Sequence, residues 1–118
     1  MDNYHAVLSM QPLYEVLFLF SAPQGYLAEI QRLDQPANAP KANIYHWLWI
    51  QATTVTALQF VGMVNSPNQQ RIFREALLWF DDQQGALHWT GGPTVPLVTE
   101  ADKTLPPPLV RLVNLHLS

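Results

Sequence analysis

One local pattern occurs twice in this chain, and it constrains the fold more than any total does. Tyr14 to Phe20 is a run of aromatic and apolar residues that reads as a strand. It leads into Ser21-Ala22-Pro23-Gln24 and then into Tyr26 to Leu33. Val55 to Val64 reads as a second such strand, leading into Ser66-Pro67-Asn68-Gln69 and then Arg71 to Phe80. Both junctions are Ser-x-x-Gln. A serine hydroxyl there can accept from the N–H three residues on, while the glutamine reaches back to the serine N–H. Each junction places a proline in the first turn, where its missing N–H costs nothing. Behind the junctions Tyr26, Ile30 and Leu33, and then Phe73, Leu77 and Phe80, have the spacing of a helix face. Gly25 weakens the first of these helices by roughly 1 kcal/mol.

The intervening residues supply the rest of the fold. Asp34 to Ala42, with two prolines, reads as a loop, and Ile44 to Ile50 as a strand. Two readings stand for the segment after Arg71. In one, Asp81-Asp82-Gln83-Gln84-Gly85 ends a helix at a glycine cap, although two aspartates there oppose the helix dipole. In the other it is the turn of a hairpin joining strands Ile72–Phe80 and Ala86–Thr90. The helix is favoured, because a capping box precedes it and Phe73, Leu77 and Phe80 share a face. Gly91-Gly92-Pro93 breaks the chain, and Pro93 to Pro108, with five prolines, reads as an extended, solvent-facing excursion. Leu109 to Leu117 alternates as a closing strand. The expected fold is therefore α+β and ferredoxin-like, in the order βαββαβ or its permuted form αββαββ. Two helices would cover one face of an antiparallel sheet in a single domain over residues 1–118, interrupted by the proline-rich excursion at 93–108.

Composition narrows the function classes. Hydrophobic residues make up 48% and charged residues 13%, the opposite of a disordered segment. At 118 residues there is room for one core. Six Lys+Arg, scattered singly in a chain of net charge −3, argue against nucleic acid as a partner. With no cysteine, thiolate chemistry and disulfides are excluded. The longest apolar run, Leu13 to Ala22, is interrupted by Glu15 and is about half the length of a membrane span.

No residues assemble into a recognisable catalytic, cofactor or metal motif. His5, His46, His88 and His116 lack metal-ligand spacing. Asp81, Asp82, Glu100 and Asp102 lie in turn-like or proline-rich segments, where solvated charges are expected. A cap role accounts for Ser66, and Gly91-Gly92-Pro93 lacks the setting of a phosphate loop. The surface clue is stronger. Alternation along Ile44 to Ile50 puts Tyr45, Trp47 and Trp49 on one face, with Ile44, His46, Leu48 and Ile50 on the other. Both faces are apolar, so this is either a strand covered on both sides or a strand whose Tyr45, Trp47 and Trp49 face is a partner interface.

Leu58 to Asn68, followed by Ile72-Phe73-Arg74-Glu75-Ala76-Leu77, resembles the strand–Ser/Asn–helix segment of the PilN proteins of type IV pilus assembly. Ile44 to Trp49 sits where that family has its preceding strand, so the resemblance covers residues 44 to 78. The same fold recurs in the GspL and GspM groups of type II secretion assembly platforms. The resemblance implies a periplasmic, non-enzymatic ferredoxin-like domain at the inner membrane, working as a homo- or heterodimer. In those families a cytoplasmic tail and one membrane helix come first, so it implies an excised periplasmic domain or a divergent relative. The expected function is thus a non-catalytic scaffold that holds a protein partner without cofactors. The alternatives are a soluble one-partner adaptor (an immunity protein, antitoxin or chaperone, with a cytoplasmic location open) and a small ligand-binding domain or enzyme.

Overall fold

The computed structural model describes residues 11–64, 70–100 and 102–118. The chain folds as β1 Tyr14–Ala22, β2 Gly25–Arg32, a single helical turn α1 Lys41–Ile44, β3 Tyr45–Ile50, β4 Val55–Leu58 and β5 Phe60–Val64. It continues with β6 Gln70–Phe73, β7 Trp79–Asp81, β8 Ala86–His88, β9 Val95–Pro96, β10 Val98–Thr99 and the helix α2 Pro107–Leu117. These strands form two five-stranded antiparallel sheets, in the orders β10-β1-β2-β3-β4 and β5-β6-β7-β8-β9. The expected ferredoxin-like α+β fold is therefore incorrect. The protein is mostly β, and neither predicted central helix exists.

The sheets share two strands that cross between them. Only Gln59 separates β4 from β5, and only Leu97 separates β9 from β10. Each linking residue keeps the ladder going: the Arg74 N–H donates to the Gln59 carbonyl at 2.7 Å and the Leu97 N–H to the Gly85 carbonyl at 2.7 Å. Counted as bent strands, the two pairs close the sheets into a flattened eight-stranded barrel. Each strand pairs with its chain neighbours, and β10 returns to β1 through Phe20↔Thr99 and Ser21↔Val98. Closure removes the free sheet edges that would otherwise template pairing with another chain.

The first Ser-x-x-Gln is a hairpin. Ala22 pairs with Gly25, leaving Pro23 and Gln24 as a two-residue turn. Proline holds φ negative and so excludes the usual type I′ and II′ hairpin turns, which is why no Asn-Gly signal marks it. Gly25 has a packing reason: a β-carbon there would overlap the carbonyl oxygen of Ile50 on β3. The second box, Ser66 to Gln69, lies outside the described residues. Beyond it the chain forms β6, a turn and β7, so the expected helix over Arg71 to Phe80 is absent. Asp81 to Gly85 is a hairpin turn, as the alternative had it, but it joins β7 to β8, and Ile72–Phe80 is two strands and not one. Asp81 Oδ1 accepts from the N–H groups of Gln83 and Gln84, both at 3.1 Å, and Gly85 closes the turn at φ 60°. The two aspartates that fitted a helix end poorly are turn residues.

Leu109 to Leu117 is the other reversal, a helix and not a strand. Pro106, Pro107 and Pro108 lie at its start, where missing N–H groups are harmless. Val110, Val113 and Leu117 have helical spacing and are buried. They pack on the outer face of the first sheet with Leu13, Tyr14, Leu19, Ala28, Ile30, Leu48 and Ile50. The other face of that sheet meets the second sheet through Phe20, Leu27, Trp47, Trp49, Leu58, Phe73, Phe80, Leu87 and Val95. The first sheet is thus covered on both sides, which accounts for the apolar residues on both faces of β3. The proline-rich segment carries β9 and β10 before reaching α2, and buries Val95 and Leu105.

Candidate binding site

Alternation along β3 directs Tyr45, Trp47 and Trp49 into the space between the sheets, and the structure separates them there. Trp49 is buried, edge-on to Trp89 with ring centroids 5.2 Å apart. Trp47 is buried among Phe73 at 5.3 Å and Phe80 at 6.5 Å. Tyr45, at the strand's start, is 41% exposed. Sequence reasoning therefore grouped three residues of which two, Tyr45 and Trp47, line a common opening.

That opening lies at the corner where β4 passes into β5. A half-open cavity of about 540 Å³ is lined there by Tyr45, Trp47, Leu58, Phe60 and Glu75, among others. Phe60 is 45% exposed although it pairs with the buried Phe73 on the inward face. The corner is rigidly tied: both Glu75 carboxylate oxygens accept from the Gln59 N–H, at 2.8 and 3.0 Å, and Arg74 Nη1 donates to Gln59 Oε1 at 3.2 Å.

A second cavity, of about 170 Å³, is lined by Phe18, Phe20, Trp47, Arg71, Phe80 and Asp82. Trp47 belongs to both. Phe18 reaches this surface because a β-bulge between Val16 and Phe18 shifts the register of β1, and it is 45% exposed. Arg71 sits opposite on β6, beside Phe80 on β7. Its guanidinium carbon lies 6.0 Å from the Trp47 ring centre and 5.7 Å from that of Phe80, within cation–π range. Arg71 Nη1 donates to Asp82 Oδ2 at 2.7 Å, while Asp82 Oδ1 is buried without a partner among the described residues. Glu29 stands between Phe18 and Trp47 in the strand register. Burial raises its carboxyl above the usual range, and the Arg71 guanidinium opposes that rise.

Sequence reading missed Phe18, Phe60, Arg71 and Asp82 as site residues. The hairpin alternative gave no signal for Arg71 either, since it kept Ile72 to Phe80 in one strand. Phe18 needed the bulge, which nothing in Tyr14 to Ala22 announces.

Elsewhere the titratable groups are scattered. His116 lies near His46 and Arg32 and is held below its ordinary value, first by burial and then by those two neighbours. His88 Nδ1 meets Thr94 Oγ1 at 3.0 Å, its ring stacked on Trp79 at 4.0 Å. Among the described residues no three His, Asp or Glu side chains group closely enough to hold a metal ion. No helix among them is long and apolar enough to cross a membrane.

Compared with family models, curated proteins and solved structures, the chain matches none. These comparisons do not bear on the resemblance over residues 44–78, whose strand–helix segment is here strands β3 to β6 and the turn after them.

Proposed function

We propose that this protein is a non-catalytic binding domain whose site is the aromatic opening around Trp47. The observation that carries this reading is the corner cavity itself. Its volume of about 540 Å³ falls within the 300–1,000 Å³ typical of small-ligand sites. Tyr45, Trp47 and Phe60 give it aromatic walls, and His46, Gln59 and Glu75 line it beside them. Two exposed aromatic rims on a closed barrel represent apolar surface that a stable core does not need. The occupant is a small aromatic molecule carrying a polar group that these side chains can meet. Calorimetric titration with 2-naphthol tests this: one-to-one binding, weakened at least fivefold by Tyr45→Ala and by Phe60→Ala, supports the reading. No saturable heat opposes it.

A second reading keeps the protein partner, as a second copy of this chain. Among the described residues no helix lies over the outer face of the second sheet. Ile72 and Trp79 pair there, beside a shallow hollow of about 250 Å³ that also involves Gln70, Ala76, Leu78 and Thr90. Because the barrel is closed, a dimer would use this face and not a strand edge.

A further inference from the structure

The corner cavity carries a charge that its aromatic walls do not need. Among the described residues no Lys or Arg lines it, and Glu75 is its acidic side chain. Both Glu75 carboxylate oxygens accept from the same donor, the Gln59 N–H, at 2.8 and 3.0 Å. A carboxylate offers about four acceptor positions, so one shared N–H leaves most of that capacity open. The ion pairs among the described residues are Arg32–Asp34 and Arg71–Asp82, and neither includes Glu75. Arg74, next along the chain, donates instead to Gln59 Oε1 at 3.2 Å. His46 Nε2 meets the Asn43 carbonyl at 3.2 Å.

The walls suit a positive occupant as well. Trp47 pairs with Leu58 across β3 and β4; Tyr45 lies two residues before Trp47, and Phe60 two residues beyond Leu58, past the corner. Trp47 and Leu58 are buried, while Tyr45 and Phe60 stay exposed at the rim. Faces of aromatic rings carry partial negative charge and attract cations. Trp47 already shows this, with the Arg71 guanidinium carbon 6.0 Å from its ring centre at the smaller cavity. An anion in the corner cavity would be repelled by Glu75, and a neutral ring would leave that charge unanswered. A ring bearing an ammonium meets the aromatic faces and the carboxylate together.

We infer that the corner cavity binds a protonated aromatic amine, whose ammonium donates to the Glu75 carboxylate while its ring lies against Tyr45 and Phe60. This rests on the reading of the Trp47 opening as a binding site, and it names the occupant's polar group as a cation. Both contacts lie at a partly open rim, where ion pairs and cation–π contacts are modest. The expected preference for a cation is therefore roughly fivefold to tenfold.

Three ligands sharing one ring system and differing in charge test this on the native chain by calorimetric titration at neutral pH. They are 2-naphthylmethylamine, 2-naphthalenemethanol and 2-naphthoate, with 2-naphthol alongside. The ammonium should bind roughly fivefold or more tighter than the alcohol, and the carboxylate weakest of the three. Glu75→Gln keeps an acceptor for the Gln59 N–H and removes the charge. It should bring the ammonium to within about twofold of the alcohol, with binding of the alcohol retained. Equal affinity for ammonium and alcohol on the native chain overturns the cation assignment and leaves the opening a binding site. A preference that survives in Glu75→Gln overturns it too; if that variant does not fold, the native-chain series decides alone. If none of the four ligands binds, the opening is not a binding site and the broader reading falls with it.

Discussion

The Leu13 N–H donates to Asn114 Oδ1 at 3.0 Å, joining the chain just before β1 to the last helix across 101 residues. Asn114 is fully buried, and its Nδ2 donates to the Gln11 carbonyl at 2.8 Å. One amide thus satisfies a donor and an acceptor that lie ahead of the β1 ladder. Asn114→Ala would strand both groups, and the expected loss is about 2–3 kcal/mol. Urea denaturation measures it; a change below about 0.5 kcal/mol would mean that water or another group replaces the amide without cost.

Two glycines in strands should respond with opposite sign. At Gly25 a methyl group runs into the Ile50 backbone, which cannot rotate away, so Gly25→Ala should destabilise by about 1–3 kcal/mol. At Gly62 no atom lies within 4 Å of an added β-carbon, so Gly62→Ala should stabilise by about 0.5–1 kcal/mol through the unfolded chain. Thermal midpoints of the two variants decide it, and equal shifts would contradict the close approach of β2 to β3.

Tyr14 supplies an alkaline limit. Burial under α2 raises its hydroxyl from 10.0 to about 12. The folded state then holds its proton more tightly than the unfolded one. The contribution is complete below about pH 10 and is lost as pH rises through about 12, a change of about 2–3 kcal/mol. The stability difference between the unaltered chain and Tyr14→Phe should therefore be flat up to pH 10 and shift in favour of Phe above it. A flat difference to pH 12 would show that the hydroxyl ionises in place.

The outer face of the second sheet makes a separate forecast. If it joins two copies, light scattering across a concentration series gives a dimer mass that Ile72→Lys returns to a monomer, without loss of ligand binding at the Trp47 opening. A monomer at all concentrations removes the second reading.

Some strand segments were legible, others were not, and their topology was not. Tyr14 to Phe20 and Ile44 to Ile50 announce themselves through aromatic and β-branched residues. Tyr26 to Leu33 did not, because β2 is buried on both faces and its apolar residues recur at intervals that also suit a helix. Arg71 to Phe80 failed for a related reason. Phe73, Leu77 and Phe80 look periodic, but the chain turns between Phe73 and Trp79, leaving Leu77 63% exposed on the turn. The Ser-x-x-Gln pattern was too permissive: with Pro23 inside it, it serves a hairpin as readily as a helix start. At the C-terminus three prolines mark a helix beginning, yet Val110, Leu112 and Asn114 also alternate, and only tertiary contact with Leu13 and Leu48 resolves the period. Of the candidate site, Tyr45 and Trp47 could be read from alternation. Arg71 and Asp82 meet the aromatic wall only through closure of the barrel, a relation between distant segments that no local pattern encodes.

The central claim is that the aromatic opening around Trp47 receives a ligand, and amide chemical-shift mapping of the native chain with 2-naphthol tests it most directly. The account predicts saturating shifts concentrated on Phe18, Tyr45, Trp47, Phe60 and Arg71, with Ile72, Trp79 and Thr90 unmoved. Shifts confined to those last three residues, or no saturating shifts at any concentration, would contradict it.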